Sequence, residues 1–232
     1  MKADFEVLSL SGIRPFKEVH ALQLELLDQR IKDQISDTLI ICEHTPTITR
    51  GRGLQFKQNQ SNVEKQRPLP LTPVGTEYLE IERCGDLTWH GPGQLVIYPI
   101  VKLGGEGSIG KRIGHDVEKW IRFQEDLWIS ILKDFGISAQ TQVDGSGVWI
   151  GDLKLASVGI ALRRWVNYHG LAINIVNSLD GFRNFDPCGY SPEVMIRAKD
   201  LPEIPAQYFA SDWRQVWERL FLEKLNETLS LK

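Results

Sequence analysis

The amino-acid sequence predicts an α+β domain with a mixed, largely antiparallel sheet. Three observations carry that expectation. Long segments with helical apolar spacing flank a series of β-prone runs; the later runs are joined by turns too short for crossover helices; and no Pro/Ser-rich linker or internal repeat divides the 232 residues. We therefore read one domain over residues 1–232.

From Pro15 to Ile35 the residues Phe16, Val19, Leu22, Leu24, Leu26, Leu27 and Ile31 recur at roughly helical spacing, and Pro15 sits where a first turn tolerates proline. Thr38–Cys42 is a short β-prone run. The stretch EHTPTITRGRGLQF, Glu43 to Phe56, is punctuated as a structured loop, and Gln58–Val74 reads as a surface excursion. Tyr78–Arg83 and Leu95–Leu103 read as strands around a glycine-rich segment, Cys84–Gln94.

Between Ile113 and Phe135, the residues Val117, Trp120, Ile121, Leu127, Trp128, Ile131 and Leu132 mark an amphipathic helix that Gly136 ends. Three strands follow: Gly147–Ile150, Leu153–Arg163 and Tyr168–Val176, with turns at Gly151-Asp152 and Arg164–Asn167. Pro202–Pro205 reads as a turn before a last helix, about Ser211–Leu229, with Ser211 as its N-cap.

Composition narrows the function classes. With 42% hydrophobic and 25% charged residues the chain has a globular composition, not a disordered or collagenous one. A net charge of −3 supplies no global field toward nucleic acid or an anionic membrane. Three scattered cysteines, Cys42, Cys84 and Cys188, make no disulfide framework and no C-x-x-C zinc or redox pair. No signal-peptide core precedes them and no apolar run reaches the ~18 residues of a membrane span, so a cytoplasmic protein without a metal site is expected.

Several motifs carry little. Gly105–Gly110 satisfies G-x-G-x-x-G and, with Lys111, most of a phosphate loop, but Arg112 stands where a magnesium-holding Ser or Thr is needed. Cys42 and His44 share one face of a strand without a second ligand pair, and read as a buried thiol and a loop histidine. His20 and His115 read as surface residues.

Three segments carry chemistry. Arg83-Cys84-Gly85-Asp86-Leu87-Thr88-Trp89-His90, continuing to Gln94, packs a cation, a hydroxyl, an imidazole and an amide among three glycines and a proline. Such a segment lets a ligand approach the backbone closely; the plain alternative is a tight turn. Strand alternation places Lys154 with Ala156, Val158, Ile160 and Leu162, where desolvation favours a proton-accepting amine or a close anion contact, unless the side chain snorkels to water. Cys188, between Pro187 and Gly189, lies in irregular backbone, and acts as a nucleophile only if a basic or cationic neighbour assists it.

In this order the segments RCGDLTWHGPGQ, LKLASVGIA, YHGLAINI and DPCGY, with EHTPTITRGRG upstream, closely resemble the octanoyltransferases of lipoate biosynthesis, lipoyl(octanoyl) transferases of the lipB type. The resemblance spans about Ile41–Tyr190 and implies the fold of the lipoate- and biotin-protein ligase catalytic domains. It implies Cys188 as nucleophile and Lys154 as its activating partner. It also implies transfer of an octanoyl or lipoyl group from acyl carrier protein to a lysine of lipoyl domains, as in 2-oxoacid dehydrogenases and the glycine cleavage H protein, without cofactor. Residues Arg83 to His90, Ser157 to Gly159 (Val158 between them) and Gly170, Leu171 and Ala172 would form the acyl site, the small Gly159, Gly170 and Ala172 leaving room for a chain. Burying the octanoyl tail contributes on the order of 5 kcal/mol at ~0.8 per methylene.

Two departures stand out: Cys84 replaces a usual glycine, with strain expected if that position needs positive φ, and Asp186 replaces a usual asparagine two residues before Cys188. An ATP-dependent lipoate or biotin ligase on the same fold, which needs no nucleophilic cysteine, and a non-catalytic binding module are the alternatives. Arg163, Arg164, Lys111, Arg112, Lys119 and Arg122 are candidates for a basic surface facing an acidic carrier.

Overall fold

The computed structural model describes residues 4–53, 74–142 and 145–231, with Cys188 described by its backbone alone. Residues 54–73, and with them nearly all of the expected surface excursion, lie outside this description.

Among the described residues, nine strands and four α-helices form two sheets with flanking helices. The larger sheet has the order β1-β2-β6-β9-β8-β7, from β1 (Phe5–Arg14), β2 (Asp37–His44), β6 (Gln94–Lys102), β9 (Val166–Asn174), β8 (Leu153–Arg163) and β7 (Gly147–Ile150). Only β1 and β2 run parallel; every other pair is antiparallel. A smaller sheet, β4-β3-β5, joins β3 (Thr47–Arg50) to β4 (Glu77–Glu80) in parallel and to β5 (Leu87–His90) antiparallel.

The two faces of the large sheet bury different helices. Helices α3 (Val117–Asp134) and α4 (Trp213–Ser230) cover one face, and a short α2 (Ser108–Ile113) packs beside them. Trp120, Leu127, Trp128, Ile131 and Leu132 of α3 meet Trp217, Phe221 and Leu225 of α4 and the Ile97, Leu171 and Ile173 side chains of the sheet. Helix α1 (Phe16–Ile31) covers the other face through Phe16, Val19, Gln23, Leu27 and Arg30, a stripe that turns by three or four residues at each step. Buried Arg30 is paired there with fully buried Asp37 at 2.9 Å.

The β7 and β8 boundaries and the Gly151-Asp152 turn match the expectation. Other elements differ. The loop over 43–56 contains strand β3, and the glycine-rich loop contains β5; four residues each, they pair with one another rather than with the large sheet. The N-terminal stretch, expected only as lacking a targeting signal, is strand β1 on the sheet's edge. The expected α3 start at Ile113 moves to Val117, because Gly114 with φ 72 ends α2 and the Asp116 carboxylate caps the next helix by accepting from Lys119 N–H at 2.9 Å. The N-cap of α4 is Asp212, not Ser211. The β8–β9 turn closes to two residues, Arg164 (φ 51) and Trp165 (φ 64), the left-handed pair of a type I′ hairpin.

Candidate active site

A cavity partly open to solvent lies between the α1 face of the large sheet and the segment that enters β5. Strand alternation divides β5 cleanly. Thr88 and His90 face the cavity, whereas Leu87 and Trp89 point the other way into a small core with Ile48, Phe182 and Phe185. The Trp89 indole is sandwiched by Gly91 and Gly181, where a Cβ would approach ring carbons within 2.1–2.2 Å. Trp89 and Leu87 thus hold the wall from behind.

Arg83 fixes the start of that wall. Its Nη2 donates to the Thr49 carbonyl (2.9 Å), the Thr49 hydroxyl (3.0 Å) and the Asp86 carbonyl (2.7 Å), and Nη1 donates to the Cys84 carbonyl at 3.0 Å. The guanidinium therefore organises backbone, while Asp86 lies 3.8 Å from Arg50 Nε and stands outside the cavity lining. Cys84 and Gly85 line it. Cys84 is not in the left-handed region; Gly85 is, at φ 82, so the cysteine that stands at position 84 in place of glycine brings no backbone strain.

Strands β8 and β9 supply the facing wall with Ser157, Val158, Gly159, Gly170, Leu171 and Ala172, the residues expected there. Val158 and Leu171 also belong to the core beneath α3 and α4. The floor comes from residues the sequence reading missed: Phe16 at the head of α1, Ile81, Val96, Tyr98 and His169. They are scattered over more than 150 positions, and alternation in β6 was the one available signal, since Val96 and Tyr98 share a face.

The imidazoles around this floor are buried and neutral. His90 Nδ1 meets Gln94 Oε1 at 2.8 Å, and the Gln94 amide nitrogen in turn donates to the Trp89 carbonyl and Asn174 Oδ1. Those two acceptors orient the amide, so Nδ1 carries the His90 proton and Nε2 presents a lone pair. Burial holds His90 well below the usual histidine range. His44, a strand residue rather than a loop one, accepts from the Tyr98 hydroxyl at 2.8 Å through Nε2, and burial pushes it down to about 4. Cys42 beside it is fully buried and its thiol is pushed up by burial, the inert thiol expected.

His20 overturns its reading as a surface residue: its ring stacks on His169 at 5.3 Å and its Nε2 lies 3.2 Å from Glu82 Oε2. His115 is exposed and packs edge-on against Trp165.

Lys154 is 2% exposed, which excludes the snorkelling alternative. Its Nζ lies 5.0 Å from the Trp149 ring centre and 5.5 Å from that of Tyr190, the geometry of cation–π contacts. The Trp149 indole is anchored by its own bond to the Gly145 carbonyl at 2.9 Å. Behind Lys154, Glu125 is buried in α3 and accepts from Gly147 N–H at 2.6 Å. The backbone carrying Cys188 forms a single 3₁₀ turn, Pro187–Gly189, packed against β5, and the chain then returns to Lys154, whose carbonyl accepts from Ile196 N–H at 3.1 Å. So the Cys188 turn packs against β5, a strand of the cavity wall, and the chain after it pairs with β8 at Lys154, which is not itself among the residues that line the cavity.

The expected basic surface is largely engaged locally. Arg163 lies 3.4 Å from Asp28, Arg122 3.1 Å from Glu125 and Lys111 3.9 Å from Glu106, while Arg112 donates to the Leu231 carbonyl and Lys119 to the Arg112 carbonyl. Arg183 pairs with Asp180 at 3.0 Å. The Gly105–Gly110 segment is a bend that runs into α2, tightly packed: a Cβ at Gly110 would stand 2.0 Å from the Lys102 carbonyl oxygen.

Residues 15–207 match the lipoyl protein ligase A/B catalytic domain family. Octanoyltransferase from Syntrophobacter fumaroxidans is 38% identical over 178 residues, covering 77% of this chain and 73% of that protein. Octanoyltransferase from Caldicellulosiruptor saccharolyticus is 31% identical over 229 residues, covering 94% of this chain and 92% of that one. The chain belongs to the octanoyltransferases, a family of acyltransferases. Among solved structures, lipoate-protein ligase A bound with ATP superposes with a TM-score of 0.61 at 14% identity, covering 97% of this chain and 86% of that one. The bi-partite lipoate protein ligase of Thermoplasma acidophilum gives 0.60 at 15% identity, with 97% and 84% covered. These establish a shared ligase-type fold. No described helix of this octanoyltransferase-family chain is long and apolar enough to cross a membrane.

Proposed function

We propose that this single-domain protein transfers an octanoyl or lipoyl group from acyl carrier protein to a lysine of lipoyl domains, such as those of 2-oxoacid dehydrogenases and the glycine cleavage H protein, in the cytoplasm. The observation that carries the reading is Lys154, fully buried between two aromatic rings and tied through its own backbone to the segment that follows the Cys188 turn. A charged or proton-accepting amine held there is costly to bury and is retained for chemistry rather than packing.

In this reading the Cys188 thiolate attacks the thioester carbonyl; the C–S bond to the carrier breaks, and the carrier thiol leaves with a proton. Lys154 takes the Cys188 proton or stabilises the thiolate as an ammonium. The octanoyl tail lies in the cavity between Cys84, Phe16 and the side-chain-free strip at Gly159 and Gly170. The acceptor lysine amine then attacks the acyl-enzyme carbonyl, forms an amide and returns the sulfur to Cys188. The proton that the attacking amine loses goes to the Cys188 thiolate or to Lys154 as the acyl-enzyme bond breaks.

Intact-protein mass after brief incubation with octanoyl-acyl carrier protein tests this. An octanoyl adduct is expected in wild type and in Cys84→Ser, absent in Cys188→Ser, and discharged by an apo lipoyl domain without ATP. No adduct, together with lipoyl-domain modification from free octanoate and ATP, would establish a ligase and remove Cys188 from the mechanism.

A further inference from the structure

Three side chains remote in sequence meet at one edge of the cavity floor: His20 from α1, Glu82 from the segment after β4, and His169 from β9. Their donor atoms all lie within 4.8 Å of one another. Glu82 Oε2 lies 3.2 Å from His20 Nε2 and 3.6 Å from His169 Nε2. Zinc holds nitrogen and oxygen ligands at about 2.0–2.2 Å in tetrahedral array, which sets neighbouring ligand atoms about 3.4 Å apart, so the two measured spacings bracket the required one.

A second observation concerns His169 alone. It is 1% exposed; its Nδ1 has no hydrogen-bond partner, and its Nε2 has only the Glu82 carboxylate, at 3.6 Å. A buried imidazole with one nitrogen unpartnered and the other only loosely approached is costly, and such groups need an explanation beyond packing. Its orientation is imposed from the backbone, for the residue has φ 56 and its N–H is taken by Gln23 Oε1 at 2.8 Å. Glu82 is about one-third exposed and His20 one-fifth, so the cluster opens to solvent on their side, where an ion would enter and keep a water ligand.

We propose that His20, Glu82 and His169 form a binding site for one divalent transition-metal ion of the zinc type, using two imidazole nitrogens and one carboxylate oxygen. The set resembles the two-His, one-carboxylate combinations zinc accepts with an open fourth position. Because the two rings stack with centres 5.3 Å apart, binding requires the partly exposed His20 ring to turn toward the ion, while buried His169 is the fixed member. With no acceptor on the far nitrogen of His169, the site lacks the outer hydrogen bond that usually strengthens such ligands. It is therefore an exchanging site that loads with added ion and empties to a chelator. The proposal is independent of the acyl-transfer reading, although the ion would lie beside the cavity that His169 lines.

The test uses the full chain, stripped with chelator and titrated with Co²⁺ and then Zn²⁺, following visible absorption, calorimetric stoichiometry and melting temperature. Wild type is expected to bind one Co²⁺ with a nitrogen/oxygen-type spectrum lacking thiolate charge transfer, to exchange it for Zn²⁺, and to melt higher when loaded. His20→Gln and the near-isosteric Glu82→Gln are expected to weaken binding by more than about tenfold, with metal-free melting showing that both variants fold. Binding unchanged in both variants, a thiolate band that disappears in Cys188→Ser, or no binding at all would overturn the site.

Discussion

Pro99 and His169 face each other on the neighbouring strands β6 and β9 without a ladder bond between them. The register pairs Ile97 with Leu171 and Val101 with Asn167, and skips every position between. Proline has no N–H to give to a central strand, so the interruption is built into the sequence. Side chains take over the stranded backbone groups. Asn167 Nδ2 donates to both the Pro99 and the His169 carbonyls, and Gln23 Oε1 accepts the His169 N–H. The break lets His169 adopt φ 56 in mid-strand and turns its ring toward the cavity floor.

Asn167→Ala is accordingly expected to destabilise the fold by about 1–3 kcal/mol, since it strands two buried carbonyls. The check is a lower urea midpoint at unchanged denaturant slope.

Two glycines of the cavity wall separate folding from specificity. At Gly170 a Cβ would meet the Ile97 carbonyl oxygen at 2.2 Å, a backbone atom that cannot yield, so Gly170→Ala is expected to lower the melting temperature sharply or prevent folding. At Gly159 the nearest atoms are Arg83 Cδ at 3.1 Å and the Cys84 carbonyl oxygen at 3.3 Å, contacts that a shift of a few tenths of an ångström relieves. Gly159→Ala should fold and, by narrowing the cavity, shift transfer toward shorter acyl chains. Relative kcat/KM over six-, eight- and ten-carbon donors reads this directly.

The site was legible where local pattern and chemistry coincide. Cys84, Gly159 and Lys154 sit in segments whose glycine content or apolar alternation sets them apart, and the two-residue turn at Gly151-Asp152 fixed β7 and β8 to the residue. Strands β3 and β5 escaped because Pro46, Gly51 and the Gly91-Pro92-Gly93 turn break their pattern before a period of two can show. The floor residues Phe16, Tyr98 and His169 escaped for another reason: the long-range packing that joins them has no local counterpart. Gln23 reads as a polar helix residue, yet its burial is explained by one backbone N–H more than a hundred residues away.

Acid should weaken this fold. Burial lowers His44 from 6.5 to about 4, so the folded state favours the neutral ring and the unfolded chain takes up the proton first. The stability this provides is complete above about pH 6.5 and is lost as pH falls toward 4, amounting to about 3 kcal/mol. His169 acts in the same direction over the same window. His44→Gln, which can still accept from Tyr98, is expected to flatten the slope of stability against pH by about one proton, measured by urea titrations from pH 7 to pH 4.

Lys154→Met is expected to keep or raise the melting temperature, because methionine fills the pocket between Trp149 and Tyr190 without a buried charge. Acyl transfer should fall by about 10²–10⁴-fold, the range for losing a proton-transfer group. Single-turnover acylation by mass measures the loss, and an unchanged rate would leave Lys154 a packing residue.

The Cys84 backbone N–H donates to the Ile160 carbonyl at 2.9 Å, and Ile160 N–H reaches back to the Cys84 sulfur at 3.4 Å. Strand β7 accompanies β8 only as far as Ser157, so the Cys84 segment closes the stretch of edge that β7 leaves bare. An uncovered edge is where a sheet recruits a second chain. The wall of the cavity is thus also a guard against self-association, and lesions in Arg83–Asp86 that unfasten it would first be noticed in the pellet rather than in the assay.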